Sequence, residues 1–103
     1  MKKTLLVALG LAFASAGALA APEDALNKAA CMACHTKDKK LVGPSFKDIA
    51  TKYKGQDVNA KLFDKVRKGG SGSFGPIPMS PNPPEKISDA DLKEVIAWIL
   101  KQG

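Results

Sequence analysis

At 103 residues the chain has room for one domain, and once residues 1–20 are set aside the remaining 83 are few for a self-sufficient hydrophobic core. The formal charge of +6 falls by two, to +4, without Lys2 and Lys3, which leaves a mildly basic domain. A single arginine and no basic block argue against nucleic acid as a partner and for proteins with acidic surfaces.

Residues 1–20 read as a secretory signal peptide. Lys2 and Lys3 form a basic start, Leu5 to Ala18 is apolar and rich in small residues, and Ala18-Leu19-Ala20 fits an A-x-A cleavage site. Cleavage there makes Ala21 the mature N-terminus and 21–103 the domain. The rival reading is an uncleaved anchor, but the run is near the minimum for a span and is broken by Gly10, Ser15 and Gly17.

A first helix is expected from Pro22-Glu23-Asp24, with Leu26, Ala29 and Ala30 on one face leading into Cys31. Thr36 to Pro44 reads as a lysine-bearing loop. Ser45 caps a second helix whose buried face is Phe46, Ile49, Ala50 and Tyr53, with Gly55 at its end. A third helix is expected from about Val58 to Lys68, with Val58, Leu62, Phe63 and Val66 inward and Gly69-Gly70 as its stop. Gly69 to Pro84 cannot be regular helix, because Pro76, Pro78, Pro81, Pro83 and Pro84 remove donors and fix φ. Ser88 caps the last helix, where Leu92, Val95, Ile96, Ile99 and Leu100 follow helical periodicity and Trp98 packs beside them. No strand pattern appears. The expected fold is all-α, about four short helices wrapped around a cofactor.

The cofactor comes from Cys31-Met32-Ala33-Cys34-His35, a C-x-x-C-H motif and the attachment signature of c-type haem. Two thiols can add to the two vinyl groups of one haem, and the adjacent imidazole can bind the iron. Helical spacing brings Cys31, Cys34 and His35 to neighbouring positions, as a single planar macrocycle requires. A large apolar group also supplies the staple that so small a domain needs. Its two propionates, if ionised, would lower the net charge by about 2.

His35 is the chain's one histidine, so a second histidine ligand from this chain is excluded, and no cysteines remain for a second haem. Of Met1, Met32 and Met79, the first leaves with the signal peptide and the second lies inside the attachment loop. Met79 remains, in the stiff Gly75-Pro76-Ile77-Pro78-Met79 segment. A core methionine filling a gap is the plainer reading. A rigid frame suits a ligand, though, since a thioether is a weak donor and preorganisation lessens the entropy lost on ordering. Lysine is a poorer ligand near neutral pH because it must first lose a proton. Ligation by His35 and Met79 would raise the reduction potential and saturate the iron, which favours electron transfer over catalysis or gas binding. A ligating histidine usually donates its other N–H to an acceptor. The Pro44 carbonyl is within sequence reach, although a Gly-Pro pair is more often simply a turn.

With these residues the chain resembles the small bacterial class I cytochromes c of the cytochrome c-551 (cytochrome c8) type. The matching pieces are Cys31 to His35, Val42-Gly43-Pro44, Asp48-Ile49-Ala50, Gly75 to Met79, Pro81-Asn82 and Trp98. The resemblance implies His35 and Met79 as axial ligands, the Pro44 carbonyl as partner of the His35 N–H, and the Asn82 side chain hydrogen-bonding near the Met79 sulfur. It implies a monomeric periplasmic carrier of single electrons. Its donor would be a membrane quinol-oxidising complex, and its acceptor a terminal oxidase, a haem nitrite reductase or a peroxidase. An apolar patch at the haem edge, ringed by lysines, would make these contacts. Met32, Ile77 and Pro78 are candidates for the patch, and Lys28, Lys37, Lys39 and Lys40 for the ring. One departure stands out: relatives often carry a propionate-binding Trp where this chain has Phe74, which lacks the donor. Tyr53 stands where some relatives have Phe.

Other classes fit less well. A zinc module needs four ligands, and only Cys31, Cys34 and His35 cluster in sequence. A thioredoxin-like enzyme needs a βαβ context. A haem enzyme or gas sensor with a labile Met79 is the strongest alternative.

Overall fold

Ser88 and Ser45 show how directly this sequence writes its helices. Each serine has extended backbone and accepts a hydrogen bond from the amide three residues on, Asp91 N at 3.1 Å and Asp48 N at 3.0 Å. Such caps are each worth about 1 kcal/mol. The computed structural model describes residues 21–103. The signal peptide expected at 1–20, and its cleavage site, lie outside the described residues.

Four helices follow in order: α1 (Pro22–Lys28), α2 (Phe46–Lys52), α3 (Asn59–Lys68) and α4 (Asp89–Leu100). Among the described residues there is no strand, only a two-residue antiparallel bridge between Gly70 and Met79. The last helix is central and packs against the other three. Its Leu92, Val95, Ile96 and Ile99 are buried, and they meet Ala25, Leu26 and Ala29 from the first helix and Phe46 from the second. Burying each Leu, Ile or Phe contributes roughly 1.5–3 kcal/mol. Leu62, Phe63, Val66 and Trp98 are half-buried against this core.

The first helix is shorter than its apolar pattern suggests. It ends at Lys28, and Ala30 then adopts the left-handed conformation (φ 60°, ψ 25°) before a single 3-10 turn over Cys31–Ala33. For alanine that conformation costs about 1–2 kcal/mol. It takes the chain off the α1 axis, so the cysteine-bearing turn becomes a separate unit. The third helix starts one residue later than expected, after Val58, and stops at Gly69 (φ 70°). No side chain fits at Gly69, because a β-carbon there would lie 2.3 Å from the Met79 carbonyl oxygen.

Candidate haem site

The turn at Cys31 gathers the attachment residues. The Cys31 carbonyl accepts from the amides of both Cys34 (3.2 Å) and His35 (3.0 Å). Both thiols are free, with Cys31 half-buried and Cys34 exposed. Burial pushes the Cys31 thiol above its ordinary pKa, partly opposed by the charge of Lys86.

His35 is held from three sides. Its Nδ1 lies 2.8 Å from the Pro44 carbonyl. A carbonyl only accepts, so Nδ1 carries the proton and Nε2 keeps its lone pair for a metal. The ring stacks on Phe46 with centroids 5.5 Å apart and planes at 22°. Gly43 touches the other flank: a β-carbon there would sit 2.6 Å from His35 Cε1. The loop carrying Gly43 and Pro44 is itself tied down, with Gly43 N donating to Cys34 O (2.8 Å) and Phe46 N to Thr36 O (2.9 Å). Phe46 in turn meets the edge of Trp98 (5.5 Å, 82°), the packing role expected for that indole.

Met79 comes from the other part of the chain. It is half-buried and exchanges both backbone hydrogen bonds with Gly70, at 3.0 and 2.8 Å. Asn82 is 6% exposed. The resemblance points its amide at the Met79 sulfur; in the structure that amide donates to the carbonyls of Val66 (3.2 Å) and Ser80 (3.0 Å), which uses both its hydrogens. Asn82 thus ties the Met79 segment to the end of α3 through backbone carbonyls.

Cys31, Cys34, His35, Pro44, Met79 and Asn82 all line one cavity of about 620 Å³. That volume lies within the roughly 300–1,000 Å³ of cofactor and ligand sites. Leu26, Phe46, Leu62, Val66, Val95 and Ile96 make much of its wall apolar, while Lys40, Lys65 and Lys86 outnumber Asp48 at its border. Two free thiols, a preset imidazole, an apolar interior and a cationic border fit a haem with its two carboxylates.

A family model described as cytochrome c matches residues 22–103. The chain belongs to the cytochrome c family. A cytochrome c2 from Rubrivivax gelatinosus is 53% identical over 83 residues, covering 80% of this chain and 98% of the relative. A cytochrome c-552 from Hydrogenobacter thermophilus is 45% identical and covers 97% of both chains. The crystal structure of Nitrosomonas europaea cytochrome c552 superposes with a TM-score of 0.71 at 44% identity, covering 79% of this chain and 99% of that one. This cytochrome is therefore an all-α, class I cytochrome c with one covalent c-type haem, attached through its two cysteines, and a haem-based electron carrier.

Phe74 sits at the cavity rim, edge-on to Tyr53 (6.3 Å, 80°), with Lys52 Nζ 4.4 Å from its centroid and also donating to the Ser73 carbonyl. The phenyl ring thus packs on Tyr53 and carries a cation over its face. Two exposed apolar residues, Leu41 and Val42, were not expected in the rim patch; Val42 lines the cavity mouth with Ile77 and Pro78. Their signal in sequence is an apolar pair inside an otherwise lysine-rich loop. Arg67, whose contacts are described below, was also missed.

Proposed function

We propose that this cytochrome is a periplasmic single-electron shuttle with His35 and Met79 as axial ligands, carrying electrons from a membrane quinol-oxidising complex to a terminal oxidase or haem nitrite reductase. The observation that carries the proposal is that His35, with Nδ1 committed to Pro44, and Met79, fixed by its bridge to Gly70, line the same cavity. The haem iron supplies one-electron Fe(III)/Fe(II) chemistry. Cys31 and Cys34 hold the group, and the Pro44 carbonyl orients His35 and raises its basicity. The apolar wall excludes water, and the thioether favours the reduced state relative to a nitrogen ligand. With His35 and Met79 both given to the iron, no open position would remain for a substrate. Among the described residues no helix is long and apolar enough to cross a membrane. Val42, Ile77 and Pro78 line the cavity together with Lys40, which gives a partner a small apolar contact beside a positive charge. Such a contact associates quickly and weakens with salt.

The test is the absorption spectrum of the oxidised holoprotein beside that of Met79→Ala. A weak far-red charge-transfer band from a Met–Fe(III) bond should be present in the parent and absent from the variant, whose potential should fall. An unchanged spectrum in Met79→Ala removes Met79 as a ligand. High-spin iron that readily binds carbon monoxide in the parent would favour a haem enzyme or gas sensor instead. Stopped-flow oxidation by candidate reductases and oxidases at several ionic strengths then identifies the partner.

A further inference from the structure

Arg67, the chain's one arginine, lies in the last turn of α3. Its side chain is only 13% exposed, and both terminal nitrogens of its fork are engaged. Nη1 donates to the carbonyls of Asn82 (3.0 Å) and Ile87 (2.7 Å), while Nη2 pairs with the carboxylate of Asp89. The guanidinium also stands 5.1 Å from the centre of the Phe63 ring. Two of these acceptors belong to the strap that leads from Met79 to the last helix, and Asp89 is the first residue of that helix.

Besides the burial of Ile87 in the core, that strap is held by few hydrogen bonds. Pro81, Pro83 and Pro84 have no amide hydrogen to give. The amide of Asn82 bonds to Val66 and Arg67 carbonyls at the end of α3, and its side chain bonds to Val66 and Ser80. Its carbonyl is taken by Arg67. The arginine therefore closes a bracket three residues beyond Met79, locking the strap to the helix that Met79 leaves through Gly69 and Gly70.

We infer that Arg67 is the positioning residue for the distal ligand, keeping the Met79 thioether engaged by clamping residues 82–89 to α3. The inference rests on the reading of Met79 as a ligand. A thioether bond to oxidised iron is weak, so the fraction of molecules with Met79 released is set by how readily the strap lifts. An added ligand binds only the released form, and its apparent affinity reports that fraction. Lysine cannot replace the clamp, because a single ammonium nitrogen cannot span three acceptors that Arg67 reaches with two separate nitrogens.

The test is imidazole binding to the oxidised holoprotein, followed in the Soret band, for the parent, Arg67→Gln, Arg67→Lys and Asp89→Asn. Arg67→Gln should bind imidazole at least about tenfold more tightly, the equivalent of one lost charge-assisted hydrogen bond. Arg67→Lys should recover less than half of that change, and Asp89→Asn should shift in the same direction by a smaller factor. Ala25→Gly, in the first helix and away from the strap, lowers global stability yet should leave imidazole affinity within about twofold. In a Met79→Ala background Arg67→Gln should have no effect, since no thioether remains to be released. An Arg67→Gln change within twofold of the parent, or one equally large without Met79, overturns the inference and leaves the ligand reading standing. A Met79→Ala spectrum identical to the parent overturns both. If Arg67→Gln yields no holoprotein, Arg67→Lys and Asp89→Asn decide: parent-like affinity in both overturns the clamp.

Discussion

The two sides of the haem cavity are built by opposite strategies. On the His35 side everything is local: two thioether positions, the ligand and its hydrogen-bond acceptor fall within Cys31 to Pro44, and Phe46 supports the ring two residues later. On the Met79 side only the bridge to Gly70 is comparably short, and the contacts among Val66, Arg67, Asn82, Ile87 and Asp89 span 15 to 22 residues. Met79 sits in a glycine- and proline-rich strap whose fastenings are Gly70, Val66, Arg67 and Asp89, from elements before and after it. The first side is anchored by covalent chemistry and short loops, the second by a handful of tertiary hydrogen bonds. The difference places rigidity at His35 and leaves adjustability at Met79.

The largest effect expected from breaking this arrangement is His35→Ala, which should abolish accumulation of mature holoprotein; haem-stained yield after expression with the maturation machinery measures it. Gly69→Ala comes next. A methyl group there collides with the Met79 carbonyl at a positive φ, so a loss of about 2–4 kcal/mol is expected in denaturant unfolding. The far-red band should disappear before the helices melt. Gly43→Ala should cost about 1–3 kcal/mol by pressing on the His35 ring, but the far-red band should persist up to global unfolding. A matching early loss of the band in Gly43→Ala would erase the proposed asymmetry. Ser45→Ala should remove about 1 kcal/mol of global stability without favouring either side. The smallest effect belongs to Asp64→Asn. It breaks the exposed Asp64–Lys68 pair on α3 and should change stability by no more than about 0.5 kcal/mol, less still in high salt.

The same contrast separates what was legible in the sequence from what was not. The helix caps at Ser45 and Ser88, the stripe from Leu92 to Ile99 and the attachment motif depend on residues a few positions apart, and all were readable. The end of the first helix was not, because Ala29 and Ala30 are good helix formers and only the demands of the following turn force Ala30 into the left-handed region. The Gly70–Met79 bridge has no alternation of polar and apolar residues to announce it. Arg67 looks like one more cation at a helix C-terminus, and its three acceptors come from positions 15 to 22 residues away. The direction of the Asn82 amide was likewise set by which carbonyls the end of α3 leaves free, which no local pattern records.

The meeting of the first helix with the last has a consequence for the order of events during synthesis. Leu26 and Ala29, just ahead of the attachment turn, are buried against a helix that ends at Leu100. Until the ribosome has made nearly the whole polypeptide, the segment preceding Cys31 has no partner to hide against. The segment leading into the two cysteines therefore stays unpacked until the last helix docks on the first.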